Sequence, residues 1–499
     1  MCQHLFLTVL ARAGASHTAG CPRSPTPCDL LHHHIDVGSR NRGGVRGVGP
    51  VVRSPAPNAS PASEPTAPAV PIQERLGFGF VLLLSALVAV GPLTIDLYLA
   101  AFPQIVTDLR TTQASVQLTM TATLAGLAVG QIVIGSLSDS YGRRRPMLIA
   151  LVVYVLASVA IIGVQSIELL TVLRVVQGIT GSAGMVLALA VVRDRFGGMG
   201  IGTVISRLML VVGVAPILAP TLGAQILHFG SWRMMFAVLA VFGLVLFAVA
   251  AIFLKESLPP ERRRSAGVGA ALVSYRSLLT DWSFIGAVLM GAMYMGALFT
   301  YVSSSTFVFQ EGFNLTASEF GYIFGAGALA VTIGSQINGA LVRRVRPERI
   351  VTAAITTGWA LSLALFVVTL AVAEGEGFWL LLAFLIPTLG TVGFVMPSVP
   401  AIVLEHNGHR AGSAAALNGA MGFVMGALIS PVSGLLGGTA LAMATVMFVV
   451  ISIAGILLLA MRRQWRRAER DRVAALSAAV SERAAQEGPV DVEREAVGR

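Results

Sequence analysis

Apolar residues fall along this chain in long runs from about Leu76 to Met461, each separated from the next by a short polar or charged stretch. About 20 residues at ~1.5 Å of rise cross a hydrocarbon core of ~30 Å. Twelve runs meet that requirement, with approximate limits 77–100, 114–136, 147–165, 168–191, 202–226, 233–254, 283–307, 320–342, 350–372, 377–403, 412–435 and 438–461. The pattern predicts an all-α membrane protein with twelve transmembrane helices. It divides into a first six-helix half (76–254), a central cytosolic loop (255–282), a second six-helix half (283–461) and a charged, partly helical cytosolic tail (462–499).

Charge placement supports this division. Only 12% of the 499 residues are charged, against about a quarter in soluble domains. The net charge of +10 is spread over loops between apolar runs, which argues against a nucleic-acid partner and for orientation in a membrane. Alternate loops carry Arg143, Arg144 and Arg145; Arg193 and Arg195; Lys255, Arg262, Arg263, Arg264 and Arg276; Arg343, Arg344, Arg346 and Arg349; Arg410; and Arg462, Arg463, Arg466 and Arg467. The loops between them hold chiefly Arg110 and Arg233, with Glu374 and Glu376. This alternation predicts a multi-pass protein of the cytoplasmic membrane with both termini and the central loop in the cytosol.

Residues 1–75 are rich in Pro, Ser, Ala, Gly and Arg, without periodicity, a composition expected to remain disordered. Leu5 to Leu10 is short for a signal peptide, and no Lys or Arg precedes it. Cys21 and Cys28 with His32 to His34 fit no zinc spacing, so no metal is expected. No glycine-rich phosphate loop followed by Lys-Ser/Thr occurs, so ATP is not the expected fuel, and no cofactor or enzymatic constellation is expected.

Two corresponding loops, GSLSDSYGRRRP (135–146) and NGALVRRVRPER (338–349), each place a glycine before an arginine cluster. This suggests an internal duplication about an axis along the membrane normal. Within the first span, Asp96 is the only acidic side chain. A carboxylate there costs on the order of 3 kcal/mol, which makes it a functional candidate. Arg174 enters the fourth span at a similar depth, close enough for a direct or water-bridged pair, with Gln177 and Gly178 after it. The fifth span carries Pro216, Pro220 and Gly223 on a regular spacing, the mark of a kinked helix.

The loop with Gly135, Asp139, Gly142, Arg143 and Arg144 resembles the signature loop of the major facilitator superfamily. The resemblance implies two six-helix halves and a cytosolic latch between them that breaks and re-forms during alternating access. Arg174 followed by Gln-Gly resembles a second signature, which implies proton coupling through Asp96 and Arg174. Ala-Pro-x-x-Ala-Pro with Gly223 resembles the signature of antiporter branches. Ile-Asp-x-Tyr-Leu in the first span, Arg193-Asp194, and the stretch Pro397 to Pro431, with Gly408, His409 and Asn418, resemble the bicyclomycin/chloramphenicol-type drug-resistance branch. The similarity covers about 77–461. It departs at Ala100, where the branch has a proline, at Val88, where some exporters carry a second acid, and in the second-half loop, which lacks the aspartate.

The function so implied is proton-coupled efflux of small-molecule drugs or xenobiotics by a monomer, the rivals being proton-linked uptake on the same fold and a membrane sensor that transports nothing. Candidate cavity residues are Tyr98, Gln131, Gln177, Tyr294, Asn338 and Asn418, with Met120, Phe299, Tyr301 and Gln336 as weaker ones. Polar members of that set serve equally as ties between helices.

Overall fold

The computed structural model describes residues 78–195, 199–263, 275–373, 375–406 and 411–486. The N-terminal extension, residues 264–274 of the central loop, Gly408, His409 and Arg410 lie outside the described residues. Among the described residues, twelve helices are long and apolar enough to cross a membrane: Gly79–Asp108, Gln113–Tyr141, Arg144–Ile162, Ile167–Arg195, Val204–Phe229, Arg233–Phe253, Trp282–Gly312, Ala317–Leu341, Pro347–Ala371, Phe378–Glu405, Gly412–Leu435 and Ala440–Arg462. They are referred to below as the first to twelfth spans. The last helix runs on as far as Gln486, into the charged tail.

The largest departure from the expected limits is the first span. It reaches Asp108 and is interrupted midway: one helix ends at Asp96, a 3-10 turn occupies Leu99–Ala101, and a second helix spans Phe102–Asp108. Pro103 presets the start of that second helix and has no N–H for the Leu99 carbonyl. The seventh span is also irregular, passing from α-helix at Thr306 to a π-helical turn over Phe307–Gly312. Corresponding spans of the two halves therefore both lose regularity near the end remote from the arginine-rich loops.

Within each half, corresponding helices cross at very short range. A Cβ on Gly178 in the fourth span would strike the Thr123 carbonyl of the second, and one on Gly393 in the tenth would strike the Val331 carbonyl of the eighth. Small residues let backbones approach this closely where lipid supplies no hydrophobic drive for association. The halves meet where the second span packs on the eleventh and the fifth on the eighth.

Candidate functional site

Between the halves lies a cavity of about 420 Å³. Its lining is drawn from the first, second, fourth, fifth, seventh, eighth, tenth and eleventh spans. Met185, Met209, Met295 and Met396 line it together with Phe299, Phe324 and Phe423. Methionine is flexible and polarisable, so such walls adapt to ligands of different shape. The polar groups are few: Gln131, Ser182, Tyr301, Thr332, Ser335 and Gln336. Asp96 is the only charged side chain among the described lining residues.

Asp96 stands at the last turn before the break in the first span and is only 5% exposed. It forms no ion pair with Arg174. The guanidinium is instead fully buried, its Nη2 donating to the Thr94 carbonyl at 2.9 Å and its Nη1 to Gln177 Oε1 at 2.8 Å. Its carbon lies 4.1 Å from the centre of the Tyr98 ring, a cation–π contact. Gln177 donates onward to Ser158 Oγ at 2.7 Å. The Nε of Arg174 has no partner among the described residues. In place of the expected pair, the arginine grips the backbone two residues before the acid. The hydroxyl of Tyr301, which also lines the cavity, is buried without a hydrogen-bond partner.

Beyond Asp96 the cavity is stopped by aromatic packing. Tyr98 lies edge-on to Phe102 at 5.0 Å, and Phe102 lies 5.8 Å from Phe307 of the second half. Hydrogen bonds across the halves reinforce this closure. The Leu99 carbonyl accepts from Thr306 Oγ1 at 3.1 Å, and the Ala100 carbonyl from Gln310 Nε2 at 3.1 Å. Gln113 donates to Glu311, and His228 bonds Ser318 at 3.0 Å. The two irregular segments therefore supply the donors and acceptors that hold this end shut.

Of the six residues expected to line the cavity, Gln131 does so. The others are placed elsewhere. Tyr98 is buried against Arg174 and bonds Thr119 at 3.1 Å, and Gln177 serves Arg174. Tyr294 packs on the ninth span, its hydroxyl 3.4 Å from the Ala354 carbonyl. Asn338 accepts from Ser398 Oγ at 2.9 Å, and Asn418 is half-buried away from the lining. Phe299, Tyr301 and Gln336 do line it. The methionines were missed, because a methionine in an apolar run carries no sequence signal that separates lining from packing.

In the fifth span Pro216 lines the cavity, while a Cβ on Gly223 would strike the Leu97 carbonyl at the break in the first span. The helix nonetheless continues through Pro216 and Pro220 to Phe229.

In the arginine-rich loop, Gly142 adopts φ +91°, and a Cβ there would collide with the Glu256 carboxylate. The Arg143 side chain donates to Asp139 at 2.6 Å, to Ser138 at 2.7 Å and to Asp194 at 2.9 Å. Ser138 Oγ in turn donates to the Gly135 carbonyl at 2.7 Å. Glu256 accepts from the backbone N–H groups of Arg143 and Arg144 at 2.7 and 3.2 Å, and Arg144 Nη2 donates to the Ala251 carbonyl at 2.7 Å. These contacts tie the second, third, fourth and sixth spans together, all within the first half. Burial alone would raise the Glu256 carboxyl, but the N–H donors of Arg143, Leu258, Arg144 and Ser257 together hold it below the usual range. Burial would likewise lower Arg143, yet Asp194 and Asp139 raise it above the ordinary value.

Comparison with known proteins bears on the whole array. The family model of the Major Facilitator Superfamily matches residues 82–431. An uncharacterized MFS-type transporter, YdgK, of Bacillus subtilis (strain 168) is 37% identical over 386 residues, spanning 77% of this chain and 95% of that one. A bicyclomycin resistance protein homolog of Haemophilus influenzae is 28% identical, spanning 72% of this chain and 89% of its own length. Among solved structures, a bacterial homolog of the human lysosomal transporter Spinster, inward-facing and unoccupied, superposes with a TM-score of 0.62 at 13% identity over 77% of this chain and 97% of that one. At that identity the likeness concerns the fold alone.

Proposed function

Because this chain belongs to the Major Facilitator Superfamily of membrane transporters, we propose that it exports small, largely apolar molecules across the cytoplasmic membrane in exchange for protons. Asp96 carries this reading: among the described residues it is the sole charged group on the cavity wall and has no hydrogen-bonding partner, and it sits beside the closed end.

The proposed cycle follows from that placement. With the arginine-rich face taken as cytosolic, the state seen is shut on the outside by the plug around Phe102 and Phe307. In this state the cavity is loaded with substrate, and Asp96 gives up its proton to the cytosol. A bare carboxylate against apolar walls costs on the order of 3 kcal/mol, so ionisation favours a rearrangement that brings a cation or water to it. The Nε of Arg174, buried without a partner among the described residues, is a donor that the fourth span offers. A pull of Asp96 toward it would draw on the break at Leu97–Ala101, whose carbonyls hold the outer seal. The outward-open state would then release substrate, take up a proton and return. One proton moving down 100 mV supplies about 2.3 kcal/mol, enough for a gradient of more than tenfold at ~1.4 kcal/mol per decade.

The resistance-protein relative supports export over uptake. A screen of dyes and antibiotics tests both direction and substrate in cells overproducing the protein. Lowered accumulation that is abolished by dissipating the proton gradient is the expected result. Raised accumulation, or efflux indifferent to the gradient, would overturn the proposal.

A further inference from the structure

The second and third spans diverge below the loop that joins them. The second is drawn onto the fourth at Gly126 and Gly178, where a Cβ would strike backbone. The third packs instead on the fourth and sixth. A groove of about 420 Å³ is left between them, separate from the central cavity. Val133 and Leu137 form one wall, Ile149 and Val153 the other, and Thr180 lies on the floor. Val133, Leu137 and Ile149 are exposed at 44%, 43% and 64%, so in a bilayer these walls meet acyl chains.

The mouth of the groove differs in character from its walls. Tyr141 and Arg145 stand there, both exposed. Arg143 and Arg144 are held by Asp139, Asp194 and the Ala251 carbonyl, whereas Arg145 makes no hydrogen bond or ion pair among the described residues. The nearby carboxylates are already engaged, Asp139 by Arg143 and Glu256 by backbone N–H groups. The eight residue steps from 145 to 153 rise about 12 Å along the third span, close to the ~15 Å depth of one leaflet of hydrocarbon. A basic side chain and an aromatic ring at headgroup level, above an apolar trough one leaflet deep, match the two ends of one lipid molecule.

We propose that this groove binds one anionic phospholipid from the leaflet on the arginine-rich face, its phosphate on Arg145 and an acyl chain between the second and third spans. The site would brace the base of the loop that ties four spans of the first half.

The test uses the full-length protein, purified in detergent and stripped of lipid, with bound lipid counted by native mass spectrometry. Phosphatidylglycerol and phosphatidylcholine of identical chains are titrated in parallel. The expected result is one retained phosphatidylglycerol, preferred about fivefold over phosphatidylcholine, as one surface arginine supplies. Arg145→Gln should remove the preference. Ile149→Trp and Leu137→Trp fill the trough from opposite walls and keep Arg145; each should release both lipids while retaining native helicity and elution. Because both positions are exposed, at least one filler is expected to fold. Unchanged preference in Arg145→Gln, or unchanged retention in a folded filler variant, would overturn the proposal. Displacement of the lipid by equimolar glycerol phosphate would also overturn it, because the groove would then contribute nothing.

Discussion

Arg174 donates to the backbone carbonyl of Thr94 at 2.9 Å, so a buried cation of the fourth span holds the turn of the first span that ends at Asp96. The guanidinium also rests on the face of Tyr98, just past that turn. The charge is therefore bound on both sides of the acid without touching it. This leaves Asp96 free to face the cavity while the break beside it stays ordered.

Replacing Asp96 with asparagine keeps the shape and removes the titration. Gradient-driven efflux from vesicles should fall to background, whereas binding of a neutral substrate to detergent-purified protein persists. Efflux in Asp96→Asn that still follows an imposed pH difference would remove the residue from coupling.

Arg174→Lys keeps the charge but loses the fork that reaches Thr94 and Gln177 together and the flat surface on Tyr98. A loss of stability on the order of 1–3 kcal/mol is expected, read as a lowered thermal midpoint, along with lost transport. Arg174→Lys with native stability and rate would show that a point charge suffices.

The outer seal can be weakened on its own. Thr306→Val with Gln310→Ala removes two hydrogen bonds to the broken first span, about 1 kcal/mol each. The equilibrium should move toward the outward-open state by tenfold or more. A cysteine placed at Ser182 in the cavity, with Cys2, Cys21 and Cys28 changed to serine, should react faster with an impermeant maleimide applied to whole cells.

The crossing of the second and fourth spans leaves no room at Gly178. Gly178→Val would press on the Thr123 carbonyl, and backbone gives way less readily than a side chain. A destabilisation of about 1–3 kcal/mol or more is expected, visible as reduced yield and a lowered melting temperature.

Glu256 gives the arginine-rich loop a pH dependence. Its carboxyl is held below the ordinary 4.5 by backbone N–H groups, so its contribution is complete above that value and fades as the pH falls through the lower, folded-state one. At an exposed position the contribution is no more than about 1 kcal/mol. The melting temperatures of wild type and Glu256→Gln should differ at pH 7 and converge in acid.

How far the sequence reached can be judged from particular residues. Asp96 stood out because a lone acid in an apolar run is costly wherever it points. Pro103 could be seen, but the helix break before it could not, since Leu99 and Ala100 need partners from the seventh span to leave the helix ladder. Tyr98 and Tyr294 are as apolar in body as Phe299 and Tyr301. Only packing sent the first pair into the protein and the second to the cavity wall.

The amino-acid order by itself determined how many times the chain crosses the membrane, roughly where each crossing starts and stops, and which loops carry the arginines. Those properties depend on run length against bilayer thickness and on local charge, and both are one-dimensional. The tertiary structure alone decided which face of each helix lines the cavity, that Arg174 holds backbone and not Asp96, and that a second groove opens beside the loop. Lipid and protein interior are equally apolar, so an all-apolar helix shows no polarity contrast to say which way it faces. Only contact with its neighbours settles that.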